Sequence, residues 1–208
     1  MSKDLTPERA LIFRIIHKGN LPDTLANGCR CRNAATGKFV EIGNQELIQR
    51  RGARNVPCGP GGTLSDYVPF YFTPYTPMLY NIKTGYGVPK HPGTDLVILV
   101  SSLYRLRENG IQFVFTDRHA YLKAAQFSTD LEDLDWIIWP ALQARDFRKD
   151  EADKFEKYQA EALVYRHVPV KALLGIVCYS DDVKAAILTE TSKHQVTIKV
   201  VAQPKWYL

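Results

Sequence analysis

The chain has 208 residues, 45% hydrophobic and 24% charged, with a formal net charge of +5. That length suits one folded domain with a sizeable core, and the apolar content excludes intrinsic disorder. No run approaches the roughly 20 apolar residues that cross a bilayer, so no membrane-spanning helix is expected.

The opening Met1-Ser2-Lys3-Asp4-Leu5-Thr6-Pro7-Glu8 is polar and mixed in charge, unlike a secretory leader. The cytoplasm is therefore the expected location, and Cys29, Cys31, Cys58 and Cys178 are expected as free thiols. Cys29 and Cys31 are one residue apart, and no second Cys/His pair completes a structural zinc site; no metal is expected. The basic excess is compatible with a polyanionic partner but does not establish one.

In chain order, Ala10 to His17 is apolar and β-branched and reads as a buried first strand. A short helix from Leu21 to Asn27 follows, stopped by Gly28. Arg30 to Pro60 lacks clear periodicity apart from a possible helical turn through Gln45-Glu46-Leu47-Ile48. Long irregular segments in a folded domain are usually functional or mobile, and this one carries Arg50, Arg51 and Arg54. Tyr67 to Phe72 is a second strand, which Pro69 marks as an edge or a bulge. Thr76-Pro77 looks like a helix cap followed by a first-turn proline.

Asp95 to Ser101 is the clearest core strand, and Gln112 to Thr116 is another. Asp117-Arg118-His119 opens a helix-compatible stretch. Asp133 to Phe147 has helix-like spacing interrupted by Pro140. The charged run Arg148 to Lys154 reads as a solvated linker. Strands are then expected at Ala162–His167, Leu174–Tyr179 and Val196–Ala202, with a helix from Asp181 to Leu188 capped by Ser180. Six or seven strands with short helices indicate an α+β domain.

Common enzyme motifs are missing. Gly59-Pro60-Gly61-Gly62-Thr63 has neither the lysine nor the helix of a P-loop. There is no dinucleotide fingerprint, nucleophile elbow or zincin histidine pair. Three clusters remain. Arg14 and His17, three apart on one strand, point to opposite faces unless the strand ends between them. The aromatics between Tyr67 and Met78 suit either a stacking wall for a flat ring or an ordinary core strand. Glu161, immediately before a strongly apolar strand, is either a buried carboxylate with a raised proton affinity or an exposed edge residue.

Taken together and in order, these blocks resemble the DarT family of DNA ADP-ribosyltransferases over nearly the whole chain. The resemblance is carried by His17 with Asn20-Leu21-Pro22, by Arg50-Arg51, and by Val68-Pro69-Phe70-Tyr71-Phe72-Thr73-Pro74-Tyr75-Thr76-Pro77-Met78-Leu79. Phe115-Thr116-Asp117-Arg118-His119-Ala120 and Gln159-Ala160-Glu161-Ala162-Leu163-Val164 complete it. It implies one ADP-ribosyltransferase domain over residues 1–208, with a split mixed sheet flanked by short helices. The implied reaction is sequence-specific transfer of ADP-ribose from NAD to thymine in single-stranded DNA, releasing nicotinamide.

By the same resemblance Glu161 and Arg51 are catalytic, and Arg14, His17, Asn20, Tyr71, Thr73 and Met78 hold NAD. His119, Arg50, Arg54 and Arg118 are expected to meet the DNA, with Lys90 as a further phosphate contact. A macrodomain antitoxin is the implied partner. Many members have a histidine at Arg14 and a phenylalanine at Ala162, so this chain departs from the pattern at both. Competing readings are a guanine, RNA or protein acceptor, a NAD glycohydrolase, and a non-enzymatic nucleic-acid-binding module.

Overall fold

The opening apolar run forms β1 (Leu11–His17), and the computed structural model describes residues 2–207. Helix α1 (Leu21–Asn27) ends at Gly28, whose φ of 73° suits a residue without a side chain. After β2 (Cys29–Arg30) a 3-10 turn at Arg32–Ala34 interrupts an otherwise irregular run to Asn44, whose side chain accepts from the Leu47 amide and caps α2 (Gln45–Gly52). Then come β3 (Tyr67–Tyr71) and α3 (Pro77–Thr84), where Thr76 caps the helix through the Leu79 amide, as its sequence foretells. The middle of the chain supplies β4 (Leu96–Ser102), α4 (Leu103–Glu108), β5 (Phe113–Thr116) and β6 (Phe127–Ser128).

Pro140 sits in the first turn of α5 (Trp139–Ala144), where its missing amide costs nothing. The expected linker runs into α6 (Ala152–Lys157), so the last three residues of that charged run are helical. The remaining elements are β7 (Glu161–Tyr165), β8 (His167–Val168), β9 (Gly175–Cys178), α7 (Asp181–Lys193) and β10 (Val200–Ala202). Helix α7 outlasts its expected end at Leu188, and β10 starts later than Val196. The helix-compatible stretch from Asp117 forms turns instead, because the Asp117 carboxylate accepts the Gln126 amide and folds the segment back on itself.

Eight strands form one sheet in the order β10-β9-β4-β1-β3-β7-β5-β6. Strand β1 pairs with β4 along its whole length but touches β3 only at Phe13↔Tyr71. The sheet is thus two four-stranded halves joined at one register pair. Pro69 lies beside this seam, which explains a proline in an interior rather than an edge strand. Its carbonyl faces β1 and accepts from Arg14 Nη1 at 2.9 Å. In an extended strand the nitrogen of a residue points the same way as its carbonyl, so the missing N–H falls on the side with no ladder to break.

Alternation along β3 separates two faces. Val68 and Phe70 enter the main core, together with β4 and the rings of Phe13, Phe72 and Phe115. Tyr67, Pro69 and Tyr71 face the other way. On β7, Leu163 joins Tyr67 in a smaller apolar cluster with Val56, Leu64 and Val114, and Glu161 shares that face one step along the strand.

Candidate active site

Where the two halves separate, a cavity of about 550 Å³ lies against Tyr67, Pro69 and Tyr71. Its size falls in the range of small-molecule clefts, roughly 300–1,000 Å³. Asn44, Leu47, Ile48 and Arg51 of α2 line one wall, at helical spacing of three and four residues. The irregular segment through Phe39, Val40, Glu41 and Ile42 forms another. That segment is held in place: Asn20 donates to the Val40 carbonyl and accepts its amide, both at 2.9 Å. Arg30 holds Asp23 through Nη2, which donates to both carboxylate oxygens at 2.9 and 3.1 Å.

Glu161 opens β7 opposite Tyr71 in the strand register and is 1% exposed. Arg51 meets it with a two-pronged fork, Nη1 to Oε1 and Nη2 to Oε2, each 2.7 Å. Oε1 also accepts the Ala120 amide at 3.0 Å and lies 3.3 Å from His119 Nδ1. Among the described residues Oε2 has only the one guanidinium donor, so a lone pair remains for a ligand hydroxyl. Burial pushes the Glu161 carboxyl up, but Arg51 above all, with the Ala120 amide and, once it is protonated, His119, outweighs it and holds it below its ordinary value. The carboxylate is therefore ionised at neutral pH. Burial drives His119 down more than Glu161 lifts it, so its ring is neutral there. Tyr71, inside the cleft, is raised chiefly by burial and stays a phenol.

The turns after β5 place these groups. Thr116 Oγ1 accepts the Glu161 amide and donates to the Arg118 carbonyl, fixing β7 to the segment that carries His119 and Ala120. Arg118 binds Asp117, Asp153 and Glu156, pinning that segment to α6.

Of the residues expected at the site, Arg14, Asn20, Arg51, Tyr71, Met78, His119 and Glu161 line the cavity. Tyr71 Oη lies 3.8 Å from Met78 Sδ, so the two form one wall. Others are placed elsewhere. Thr73 is fully buried behind the sheet, its hydroxyl accepting the Tyr75 amide, because the chain has already turned away from the cleft. His17 sits at the far end of β1 against His91 and Asp95 rather than in the cavity. Those three groups bring ligand atoms within 4.8 Å of one another, but Asp95 already pairs with Lys18 and His17 accepts the Gly19 amide.

Arg50 lies on the outer side of α2 and pairs with Glu46. Arg54 reaches the Leu122 carbonyl and the Phe127 ring. Arg118 is engaged by three carboxylates through Nε and Nη1, and Lys90 is exposed beyond α3. The sequence reading missed the Ala120 amide and the Asn44, Leu47 and Ile48 face. Backbone donors leave no side-chain signature, whereas the α2 face was visible in the spacing.

The family model described as ssDNA thymidine ADP-ribosyltransferase, DarT, matches residues 13–208. A DNA ADP-ribosyl transferase of Escherichia coli O127:H6 is 47% identical over 211 residues, covering 99% of this chain and 97% of its own. The structure of Thermus sp. 2.9 DarT in complex with ADP-ribosylated ssDNA superposes with a TM-score of 0.92 at 35% identity, covering 97% of this chain and 98% of that one. The same Thermus protein in complex with NAD+ gives a TM-score of 0.85 at 35% identity, over 97% and 99% of the two chains. These likenesses extend over the α+β fold with its divided sheet.

Proposed function

The chain belongs to the DarT family of single-stranded DNA thymidine ADP-ribosyltransferases, and from that premise we propose how its residues carry out the transfer. It is an NAD-dependent DNA ADP-ribosyltransferase. The observation that carries the residue assignment is the buried, ionised Glu161 forked by Arg51 at the floor of the cleft.

NAD lies with its nicotinamide against Tyr71 and Met78 and its nicotinamide ribose at Glu161. Arg14 and Asn20 flank the rest of the dinucleotide. The free lone pair of Oε2 takes a ribose hydroxyl. As the C1′–nitrogen bond breaks, its electron pair leaves with nicotinamide, and the carboxylate stabilises the oxocarbenium charge left on the sugar.

The acceptor is a thymine ring nitrogen, which carries a proton and is hidden in a base pair in duplex DNA. Single strands present it directly. In the closed fork Glu161 is too weak a base to remove that proton. When Arg51 turns from the carboxylate to the carbonyl edge of the thymine, burial dominates and the proton affinity of Glu161 rises. The same movement steadies the thymine anion. The proton passes to Glu161, the nitrogen bonds to C1′, and the proton then leaves to water. His119, neutral beside the carboxylate, contacts the incoming base.

Only a narrow set of DNA contexts fits such a cleft, so transfer is sequence-specific. The domain spans the chain, works in the cytoplasm where NAD and DNA meet, and is countered by a macrodomain antitoxin that removes the adduct. Mass spectrometry of mixed-sequence oligonucleotides after incubation with NAD tests the reading. One added ADP-ribose per strand, located on thymine, is the expected result, and Glu161→Ala abolishes it without unfolding the chain. An adduct on guanine, or NAD consumption with no adduct, would overturn the acceptor. Full transfer by Glu161→Ala would overturn the catalytic carboxylate.

A further inference from the structure

Beside the cleft, the end of α3 forms a second hollow of about 460 Å³, lined by Tyr80, Asn81, Thr84, Gly85, Tyr86 and Lys149. Asn81 and Lys149 line the cleft as well, so the two hollows share a wall. Tyr80 is 54% exposed and Tyr86 68%, the highest values for large hydrophobic side chains among the described residues. Their exposure is built in. Gly85 and Gly87 both have positive φ, and the amides of Gly85 and Tyr86 both bond to the Asn81 carbonyl, which closes the helix and turns Tyr86 outward.

Lys149 Nζ lies 5.3 Å from the Tyr86 ring centre and 5.9 Å from that of Phe155, a residue of the cleft. Its ammonium thus stands at the boundary between the hollows. Arg148 and Lys154 are taken up by Asp146 and Glu151, whereas no carboxylate pairs with Lys149 among the described residues. The Asn81 side-chain amide is likewise without a protein partner among them.

We propose that this second hollow seats the nucleobase next to the one being modified, on the same DNA strand. The inference rests on the DNA-transferase reading and deepens it. Exposed phenol rings offer π-faces on which any base stacks, and such stacking contributes strongly to single-strand binding. Lys149, at the boundary, meets the phosphate that links the seated nucleotide to the one in the cleft. The unpartnered Asn81 amide reads an edge of the seated base. A protein partner fits less well: the lining is tyrosine, asparagine, threonine and lysine, with no aliphatic side chain to bury.

The test is direct binding, so that it does not depend on turnover. Fluorescence anisotropy measures a labelled single-stranded 12-mer with the cleft filled by carba-NAD+, whose carbocycle cannot form the oxocarbenium. Replacing one base beside the target thymine by an abasic residue is expected to weaken wild-type binding about tenfold. The double variant Tyr80→Ala/Tyr86→Ala is expected to bind the intact strand about tenfold less well and to show no added loss from the same abasic site. Tyr86→Trp restores part of the affinity in the Tyr86→Ala comparison, and NAD affinity is unchanged throughout. If every abasic position costs the double variant as much as the wild type, the seat is not there. A wild type that binds DNA through these tyrosines yet transfers nothing would strike the function reading and leave the seat standing.

Discussion

At the scale of single residues, the decisive pair is Glu161 with Arg51. Its stability depends on pH in a definite direction. With Arg51 present, the carboxyl lies below its ordinary value of 4.5, so the pair stabilises the fold above that pH. The stabilisation is lost as pH falls through the folded-state value. In Arg51→Met the largest lowering influence is gone, only His119 and the Ala120 amide still oppose burial, and the carboxyl rises. That variant is most stable when Glu161 is protonated and weakens as pH rises. Thermal unfolding should therefore show a deficit of about 3–5 kcal/mol at neutral pH that shrinks toward pH 4. A gap that stays constant from pH 4 to 8 would contradict the buried pair. In the structure Arg51, unlike Arg50, shares the cleft face of Asn44, Leu47 and Ile48, a distinction that the sequence reading drew only from the resemblance. Glu161 was no more legible. Its residues alone allowed an exposed edge, and only resemblance singled it out.

Among elements, the turns between β5 and β6 present the Ala120 amide and His119, and Arg118 fastens them. The sequence suggested a DNA-contacting arginine on a helix, but the helix is replaced by turns and the charge is consumed by Asp117, Asp153 and Glu156. Arg118→Ala should lower stability by about 1–3 kcal/mol, since its bond to buried Asp117 is the one that water screens least. It should leave the salt dependence of oligonucleotide binding unchanged, whereas loss of a phosphate contact would reduce that slope by about one. A reduced slope with intact stability would restore Arg118 to the DNA.

Strand β3 teaches the complementary lesson. Its aromatics looked like either a ligand wall or core, and parity divides them: Phe70 packs in the core, while Tyr67 and Tyr71 line the cleft. The alternation was readable from the sequence. Pro69 misled because a seam inside a sheet, like an edge, leaves a strand flank unpaired, and local sequence does not say which of the two it is.

Over the whole molecule, the seam that makes room for the cleft is thin in hydrogen bonds yet secure in connectivity. The chain crosses it from β1 to β3, back from β3 to β4, out again from β4 to β5, and back from β7 to β9. Neither half is a continuous stretch of chain, so the halves should melt together. Far-ultraviolet dichroism and tryptophan fluorescence should give coincident transitions, Trp206 packing on Phe13 in one half and Trp139 on Phe72 beside the other. Two separated transitions would refute this. For the gene, the interleaving means that a frameshift or early stop codon downstream of β3 leaves no half-built enzyme with residual activity. Inactivating alleles of such a protein should include truncations spread along the reading frame as well as changes at the cleft.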